Sequence, residues 1–195
     1  MQPTLQAVYG DQSIFDRSTL DDPGLAQALP GVIIAYLKSD KGTAAWRAMA
    51  DEYRQAIAQQ FGPKAPDPAA LIAIPCARAT ATLRVMVADG VKLLFGTDTP
   101  SNLGIGNPPG LNGRRELTRW AEAGVPLPRI LRAATLDNAV AFGLATDVGT
   151  VEVGKRADLL LVGANPLDTV TAYDRIETVY LSGRPLARAS LLPGR

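Results

Sequence analysis

The residue best suited to chemistry in this sequence is an acidic one, Asp98. The run Val91–Phe95 has four apolar residues and one lysine, and Gly96-Thr97 separates it from Asp98. Such a run predicts a strand buried on both faces. In parallel α/β sheets the loops after the strands form the pocket, so a carboxylate at that end is a candidate for catalysis. A plain turn, in which Asp98 accepts hydrogen bonds from nearby amides, explains the same residues equally well.

Histidine is absent from all 195 residues, and Cys76 is the single cysteine. Histidine is the commonest metal ligand and the usual general base near neutral pH. Its absence excludes a Ser-His-Asp triad, a Cys-His pair and a histidine-ligated metal site built from this chain alone. One cysteine excludes an internal disulfide, and we expect Cys76 to be a buried thiol.

The overall charge balance indicates no polyanionic partner. Lysine and arginine total 20 against 19 acidic residues, a net charge of +1, so we expect no nucleic-acid partner. No apolar run approaches the roughly 18 to 20 residues that span a bilayer, and the first ten residues lack the features of a signal peptide. The compartment is unknown from the sequence, with the cytoplasm as the default.

The amino-terminal half predicts one clear helix. Apolar residues recur at steps of three and four from Thr43 to Phe61, which is typical of an amphipathic helix whose stripe packs in the core. Before it, Thr4–Tyr9 reads as a strand, and Val32–Leu37 fits either a strand or a helical turn. After it, residues 63–68 carry three prolines and predict a linker.

The middle of the chain has the order of a β/α repeat. A helix from about Ala77 to Asp89 precedes the strand that leads to Asp98. The glycine-rich residues 99–113 predict one wall or lid of a pocket. Further helices are predicted over residues 114–123, after Pro126, and up to Phe142 with Thr135 as the cap of the last one.

The sequence changes character near residue 147, where turn glycines alternate with short aliphatic runs. Strands are predicted within 149–163, at Ile176–Leu181 and at Pro185–Ala187, with Ser182-Gly183 as a turn. We therefore divide the chain into an α/β part, residues 1–146, and a small β-strand module, residues 147–195. In that module Asp158 precedes a strand, and we expect it to have a structural role in a turn.

Several short blocks in order resemble the last barrel repeat of the amidohydrolase superfamily, in its imidazolonepropionase-like and prolidase-like branch. The match is dense from Gly90 to about Pro185. The blocks are Gly90-Val91, Gly96-Thr97-Asp98, Arg115-Glu116-Leu117, Glu122-Ala123-Gly124-Val125, Arg132-Ala133-Ala134-Thr135, Asn138-Ala139, 149–159 and 179–183.

The resemblance implies an α/β fold: the last two repeats of a (β/α)₈ TIM-type barrel plus part of a small β-sandwich. Met1–Tyr9 would correspond to the seventh strand and Val91–Phe95 to the eighth. Asp98 matches the family's acidic residue that contacts a divalent metal, zinc most often, and helps to deprotonate the attacking water. Thr97 and Thr99 would orient that carboxylate. The implied activity is hydrolysis of a C–N bond in a small amide, cyclic amide or dipeptide-like substrate.

The family's histidine ligands have no counterpart in this sequence. We therefore expect the chain to resemble a carboxyl-terminal portion of such an enzyme, unable to hold the metal with confidence by itself. Activity would require an amino-terminal half or another partner chain in trans. The alternatives are a non-catalytic interaction subunit, a homo-oligomer or an inactive truncated relic. Uncovered strand edges predict that the isolated chain associates or is poorly soluble.

Two other interpretations of charged residues are weaker. A carboxylate pair of glycosidase type would join Asp98 to Asp40, Glu116 or Asp137, but no spacing brings any of these to Asp98. The pairs Arg114-Arg115 and Lys155-Arg156 fit solvated side chains better than an anion site.

Overall fold

A computed structural model of the chain describes residues 1–99 and 105–193. In this part of the chain the α-helices are α1 (Leu5–Tyr9), α2 (Leu25–Ala28), α3 (Gly31–Lys38), α4 (Asp40–Phe61), α5 (Pro68–Ala88), α6 (Asn112–Glu122), α7 (Leu127–Arg132) and α8 (Asn138–Ala141). Short 3₁₀ turns lie at Gly10–Ile14, Ser18–Asp21, Gly62–Lys64, Val170–Asp174 and Arg188–Leu191. The strands are β1 (Leu159–Val162), β2 (Ile176–Leu181) and β3 (Arg184–Ala187).

The chain forms two compact units, which we describe separately. Unit 1 contains Met1–Thr4, Ala81–Thr97 and Gly113–Leu192, and unit 2 contains Leu5–Thr80 and the described part of Asp98–Asn112. The predicted division at residue 146 stays a prediction. The α/β class is confirmed, whereas the partial barrel and the sandwich remain proposals.

Helix α4 is the best-predicted element of unit 2. Ser39 caps its start by accepting a hydrogen bond from the Gly42 amide, and the chain leaves the helix at Gly62. The ring of Tyr53 packs edge-on against Phe15, and the Trp46 indole donates to the Ser13 carbonyl. The stripe is less buried than predicted, because Ala50 is buried whereas Phe61 is exposed.

Two segments of unit 2 differ from the expected strands. Residues 5–9 form helix α1 instead of a strand, and the undecided 32–37 run lies in helix α3. A strand needs a neighbour to satisfy its amides and carbonyls, whereas a helical turn satisfies them internally. Leu5, Gln6 and Ala7 are also good helix formers. A buried apolar cluster of Leu20, Leu25 and Leu111 lies under these turns.

Helix α5 begins nine residues earlier than predicted, at Pro68 instead of Ala77. Asp67 starts it, because its side chain accepts a hydrogen bond from the Ala69 amide and its carbonyl bonds the Leu71 amide. Proline is tolerated in a first helical turn, and Pro75 lies within the helix. Cys76 is buried on it, as expected.

One property of α5 bears on the expectation about membranes. The helix has 21 residues and contains an 18-residue window with a mean hydropathy of 1.5, so by length and composition alone it is long and apolar enough to cross a membrane. A single helix of this kind is weak evidence for a membrane span.

The carboxyl-terminal strands form the sheet that the sequence predicts. The order is β1-β2-β3 with both pairs antiparallel, and Leu160 faces Val179 across the first pair. The turn between β2 and β3 falls at Ser182-Gly183, as expected, with Gly183 at φ 79°. Within 149–163, only Leu159–Val162 is a strand.

The last helical region departs from its predicted cap. Helix α7 continues through a π-helical stretch, Ala133–Asp137, directly into α8. The Thr135 hydroxyl donates to the Leu131 carbonyl, so it does not cap a new helix. A helix that continues without interruption has no free amides at this point for a cap to satisfy.

Candidate functional site

Asp98 lies at the end of an extended segment, residues 91–97. This segment is not a sheet strand in the described structure, which corrects the prediction for Val91–Phe95. Of residues 91–95, Leu93 is buried, Lys92 is exposed and the other three are half-buried. The burial predicted for this run is therefore complete at Leu93 alone. Asp98 itself is exposed and takes a left-handed conformation with φ 50°. Aspartate tolerates this conformation better than most residues.

One edge of the segment pairs with the first residue of the chain. The Met1 amino group donates to the Lys92 carbonyl at 3.0 Å, and the Leu94 amide donates to the Met1 carbonyl at 2.8 Å. These two bonds have the pattern of a parallel pair of strands. Gly96 is needed beside them, since a Cβ there would lie 1.8 Å from the Gln2 side chain.

Side chains occupy the other edge of the segment. The Phe95 amide donates to Asn138 Oδ1 at 3.1 Å, and Asn138 Nδ2 donates to the Phe95 carbonyl at 2.8 Å. Arg129 donates to the carbonyls of Val87 and Val91. Backbone groups of alternate residues point to opposite edges of an extended chain, so these bonds fall on the edge away from Met1.

The Phe95 ring is fixed by the core of unit 1. It meets the Trp120 ring edge-on, with 5.6 Å between centroids and 67° between planes. Trp120 is fully buried, and its Nε1 donates to Glu116 Oε1 at 2.6 Å. Glu116 is fully buried too. Backbone and side chain of Phe95 are therefore both held, three residues before Asp98 in the chain.

Thr99 belongs to a network of buried amides in unit 2. Asn112 Nδ2 donates to Thr99 Oγ1 at 2.7 Å and to Asn107 Oδ1 at 3.3 Å. Asn107 Nδ2 donates in turn to the Ala7 carbonyl at 3.1 Å. Thr97 is half-buried in unit 1. Whether either threonine orients Asp98 stays a prediction.

The predicted pocket loop is described only in part. Residues 105–113 are described, and 100–104 lie outside the described residues. In the described part, the Gly106 amide donates to Ser13 Oγ at 3.1 Å, and its carbonyl accepts from Gln6 Nε2 at 3.0 Å. These bonds tie this part of the loop to the start of unit 2.

The donor set of this chain does not fit a metal ion by itself. Among residues 1–99 and 105–193, no three His, Cys, Asp or Glu side chains come together in a group that could hold one. The full sequence has no histidine to complete such a site. A single exposed carboxylate is too few ligands for zinc, which is usually held by three or four protein side chains.

Other acidic residues have separate roles. Glu116 binds the Trp120 indole, and Asp137 accepts from Arg132 Nε at 3.1 Å. Asp40 lies in the first turn of α4, where a negative charge favours the helix. These contacts give no support to a glycosidase-type pair.

Asp158 and Arg114 are structural in unit 1. The Ser182 amide, and then Arg156, bond the Asp158 carboxylate and hold its pKa below the usual value, which fits the predicted turn role. Arg114 forms an ion pair with Asp174 across 60 residues instead of being simply solvated. Sequence spacing gives no signal for a pair so distant.

Sequence reasoning missed the two side chains that hold the segment, Asn138 and Arg129. Both lie in helices that the sequence predicts, but side-chain bonding to a distant backbone leaves no periodic signal. The one available hint was Asn138-Ala139, which stands among the blocks that carry the family resemblance.

Known proteins match this chain over the region that carries these features. The model of the amidohydrolase family matches residues 72–186, more than half of the chain and including Asp98 and Asn138. The chain therefore belongs to the amidohydrolase family. It is 36% identical over 66 residues to an imidazolonepropionase of Shouchella clausii (strain KSM-K16), covering 32% of this chain and 15% of that protein.

Several solved structures share the fold of this chain over part of their length. A putative prolidase from Bifidobacterium longum is 25% identical, with a TM-score of 0.53 over 91% of this chain and 35% of that one. A Xaa-Pro dipeptidase with bound methionine is 21% identical with a TM-score of 0.53, and the match covers 76% of this chain and 37% of the dipeptidase. Phenylurea hydrolase B is 22% identical with a TM-score of 0.51, and the match covers 99% of this chain and 43% of the hydrolase. The chain thus spans less than half the length of each of these relatives.

Proposed function

We propose that this chain contributes the Asp98 carboxylate to a hydrolase of C–N bonds, and that histidines from another polypeptide complete its site. The observation that carries the proposal is the exposed carboxylate at the end of an anchored segment, within the region that matches the family. The substrate classes are those named for the relatives: Xaa-Pro dipeptides and phenylureas, together with cyclic amides. The absence of histidine supports a site shared between chains.

The chemistry assigned to Asp98 is proton transfer. A carboxylate of this kind accepts a proton from the attacking water and returns it to the leaving nitrogen, which departs as a neutral amine. A divalent metal, held mainly by the other polypeptide, would supply a water of lowered pKa. Exposure keeps Asp98 accessible to water and substrate, which both halves of the transfer require.

The test compares the chain alone with the chain purified through an affinity tag from its own host. We expect the isolated chain to bind no stoichiometric zinc and to hydrolyse none of a panel of an Xaa-Pro dipeptide, a phenylurea and a cyclic amide. The assembly from the host should contain zinc and hydrolyse at least one of them. Stoichiometric zinc and turnover by the isolated chain would refute the shared site.

Two variants assign the chemistry within that assembly. Asp98→Asn keeps the shape of the side chain but removes the base, so we expect hydrolysis to fall by at least about a hundredfold. Asp89→Asn is the matched control, because Asp89 is an exposed aspartate just after α5 in unit 1. Equal activity of both variants would remove Asp98 from the reaction.

A second candidate function is a non-catalytic subunit that binds a histidine-bearing hydrolase. It is favoured by large apolar side chains that are exposed in the described structure, namely Ile74 and Val85 on α5 and Leu160, Leu161 and Leu181 on the sheet. Such exposure is typical of surfaces that another chain covers. In this case Asp98→Asn would leave hydrolysis by the assembly unchanged. A monodisperse monomer with a cooperative thermal transition would count against any such association.

A further inference from the structure

We propose that Asn138 is a positioning residue whose side-chain amide takes the place of a neighbouring strand and fixes the end of the segment that carries Asp98. The proposal rests on the proposed function insofar as Asp98 is taken to be the reacting carboxylate. The hydrogen bonds on which it stands are independent of that function.

The geometry of the contact is that of strand pairing. Asn138 Oδ1 accepts from the Phe95 amide at 3.1 Å while Asn138 Nδ2 donates to the Phe95 carbonyl at 2.8 Å. Two facing residues of antiparallel strands exchange the same pair of bonds. One amide group thus satisfies both backbone groups of one residue, which an ionised carboxylate cannot do because it has no donor.

The helix is adjusted to bring Asn138 to this position. The stretch Ala133–Asp137 is π-helical and ends directly before Asn138. One extra residue in a helix turns everything after it by about 100° around the axis. The ion pair between Arg132 and Asp137, five residues apart, fits this wider turn. Single π-turns are rare and are frequently found at functional sites, so the distortion points to a requirement at Asn138.

The contact between Asn138 and Phe95 lies at the end of the segment that is nearest to Asp98 in the sequence. Met1 binds Lys92 and Leu94, and Arg129 binds Val91, all of them farther from Asp98 in the sequence. Of these backbone bonds, those of Phe95 are nearest to Asp98. A shift at Phe95 would therefore pass along two residues, Gly96 and Thr97, to the carboxylate.

The first experiment reads the contact itself, in the full chain, by amide hydrogen exchange and NMR. Asn138→Leu has a similar size but cannot form either bond, so the protection of the Phe95 amide should fall about tenfold or more. The Asp98 carboxyl resonance should shift, and that of Asp89 should not. Gln59→Leu is the control, because Gln59 is an exposed amide side chain on α4 in unit 2.

Asn138→Asp supplies a rescue that a purely packing role would not show. Above an aspartate pKa of about 4 the side chain is ionised and cannot donate to the Phe95 carbonyl, and below it the protonated carboxyl both donates and accepts. The bond that changes is the one to the Phe95 carbonyl, so the ¹³C resonance of that carbonyl should differ from the parent at pH 6 and return towards it at pH 3.5. This variant also keeps the test decisive if Asn138→Leu does not fold.

In the assembly from the host, Asn138→Leu should lower kcat about tenfold to a hundredfold with little change in KM, since misplacing a reacting group by about 1 Å has effects of this size. Unchanged Phe95 protection in Asn138→Leu, or a Phe95 carbonyl resonance in Asn138→Asp that does not depend on pH, would overturn the proposal. So would an unchanged kcat. If no assembly hydrolyses anything, the proposed function fails, whereas the exchange and resonance data still decide the role of Asn138.

Discussion

Two regions of unit 1 were expected to be strands, and they reach their backbone hydrogen bonds in different ways. In the sheet of β1, β2 and β3, backbone amides and carbonyls bond those of the neighbouring strand. Strands β2 and β3 are joined by a two-residue turn. In residues 91–97, one edge meets Met1 and the other meets side chains of α7 and α8. The difference follows from topology, because antiparallel partners can be local whereas parallel partners must come from far along the chain.

We therefore expect the stability of residues 91–97 to depend on the helical core of unit 1, and the stability of the sheet to depend on its turn. Substitutions in Trp120 or Arg129 should loosen residues 91–97 while β2 and β3 stay protected from exchange. Substitutions near Ser182-Gly183 should do the opposite. The following predictions test this separation, from the largest expected effect to the smallest.

Trp120→Ala should have the largest effect, about 3 to 5 kcal/mol less free energy of unfolding. The residue is fully buried, and its loss removes the ring that meets Phe95 and the donor to Glu116. Trp120→Phe keeps an aromatic ring and loses the donor, so we expect about 1 to 3 kcal/mol. Urea unfolding measures both. Equal losses in the two variants would show that the Glu116 bond, not the contact with Phe95, dominates.

Arg129→Met should lower the free energy of unfolding by about 1 to 3 kcal/mol, because it leaves the carbonyls of Val87 and Val91 without their charged donor. Arg119→Met is the matched control, as Arg119 pairs with Glu122 near the surface and such pairs contribute about 0 to 1 kcal/mol. Amide exchange should rise in residues 91–97 for Arg129→Met alone. A rise in β2 instead would break the separation between the two regions.

These contrasts also show how much the sequence predicts. The hairpin was predicted nearly to the residue because its signal is local: aliphatic runs on either side of Ser182-Gly183. Residues 91–95 carry the pattern of a buried strand, yet the pattern cannot say which groups will bond its edges. Thr4–Tyr9 was also predicted as a strand from its local pattern, whereas Leu5–Tyr9 forms helix α1.

The assignment of Asp98 as a site residue stays a prediction. The Gly96-Thr97 junction after an apolar run indicated Asp98, which lies at the end of an extended segment in the structure. The left-handed conformation of Asp98 and the amide of Asn138 were not predictable, since they depend on residues about 40 positions apart meeting in space. The sequence blocks that resemble the amidohydrolase superfamily included Asn138, but they did not predict its contact with Phe95.

Gly183→Ala should lower the free energy of unfolding by about 1 to 2 kcal/mol through the backbone alone. Gly183 has φ 79°, and an added Cβ would come no closer than 4.0 Å to Ala157, so the cost is conformational and not steric. Gly113→Ala is the control: Gly113 lies in α6, and nothing lies within 4 Å of an added Cβ. There alanine should be neutral or stabilising by up to about 1 kcal/mol. Thermal unfolding of both variants checks the contrast.

The smallest effect is expected at Asp158, where it should depend on pH. The Ser182 amide and Arg156 hold the pKa of Asp158 below its ordinary value of 3.8, so the folded state favours the ionised carboxylate. This stabilisation is complete above the unfolded pKa and is lost as the pH falls below 3.8 through the folded value. Asp158→Ala should therefore unfold at lower urea than the parent at pH 7, and the gap should narrow towards pH 3. A gap at Asp158 that is constant with pH would mean that the hairpin depends on the shape of this side chain and not on its charge.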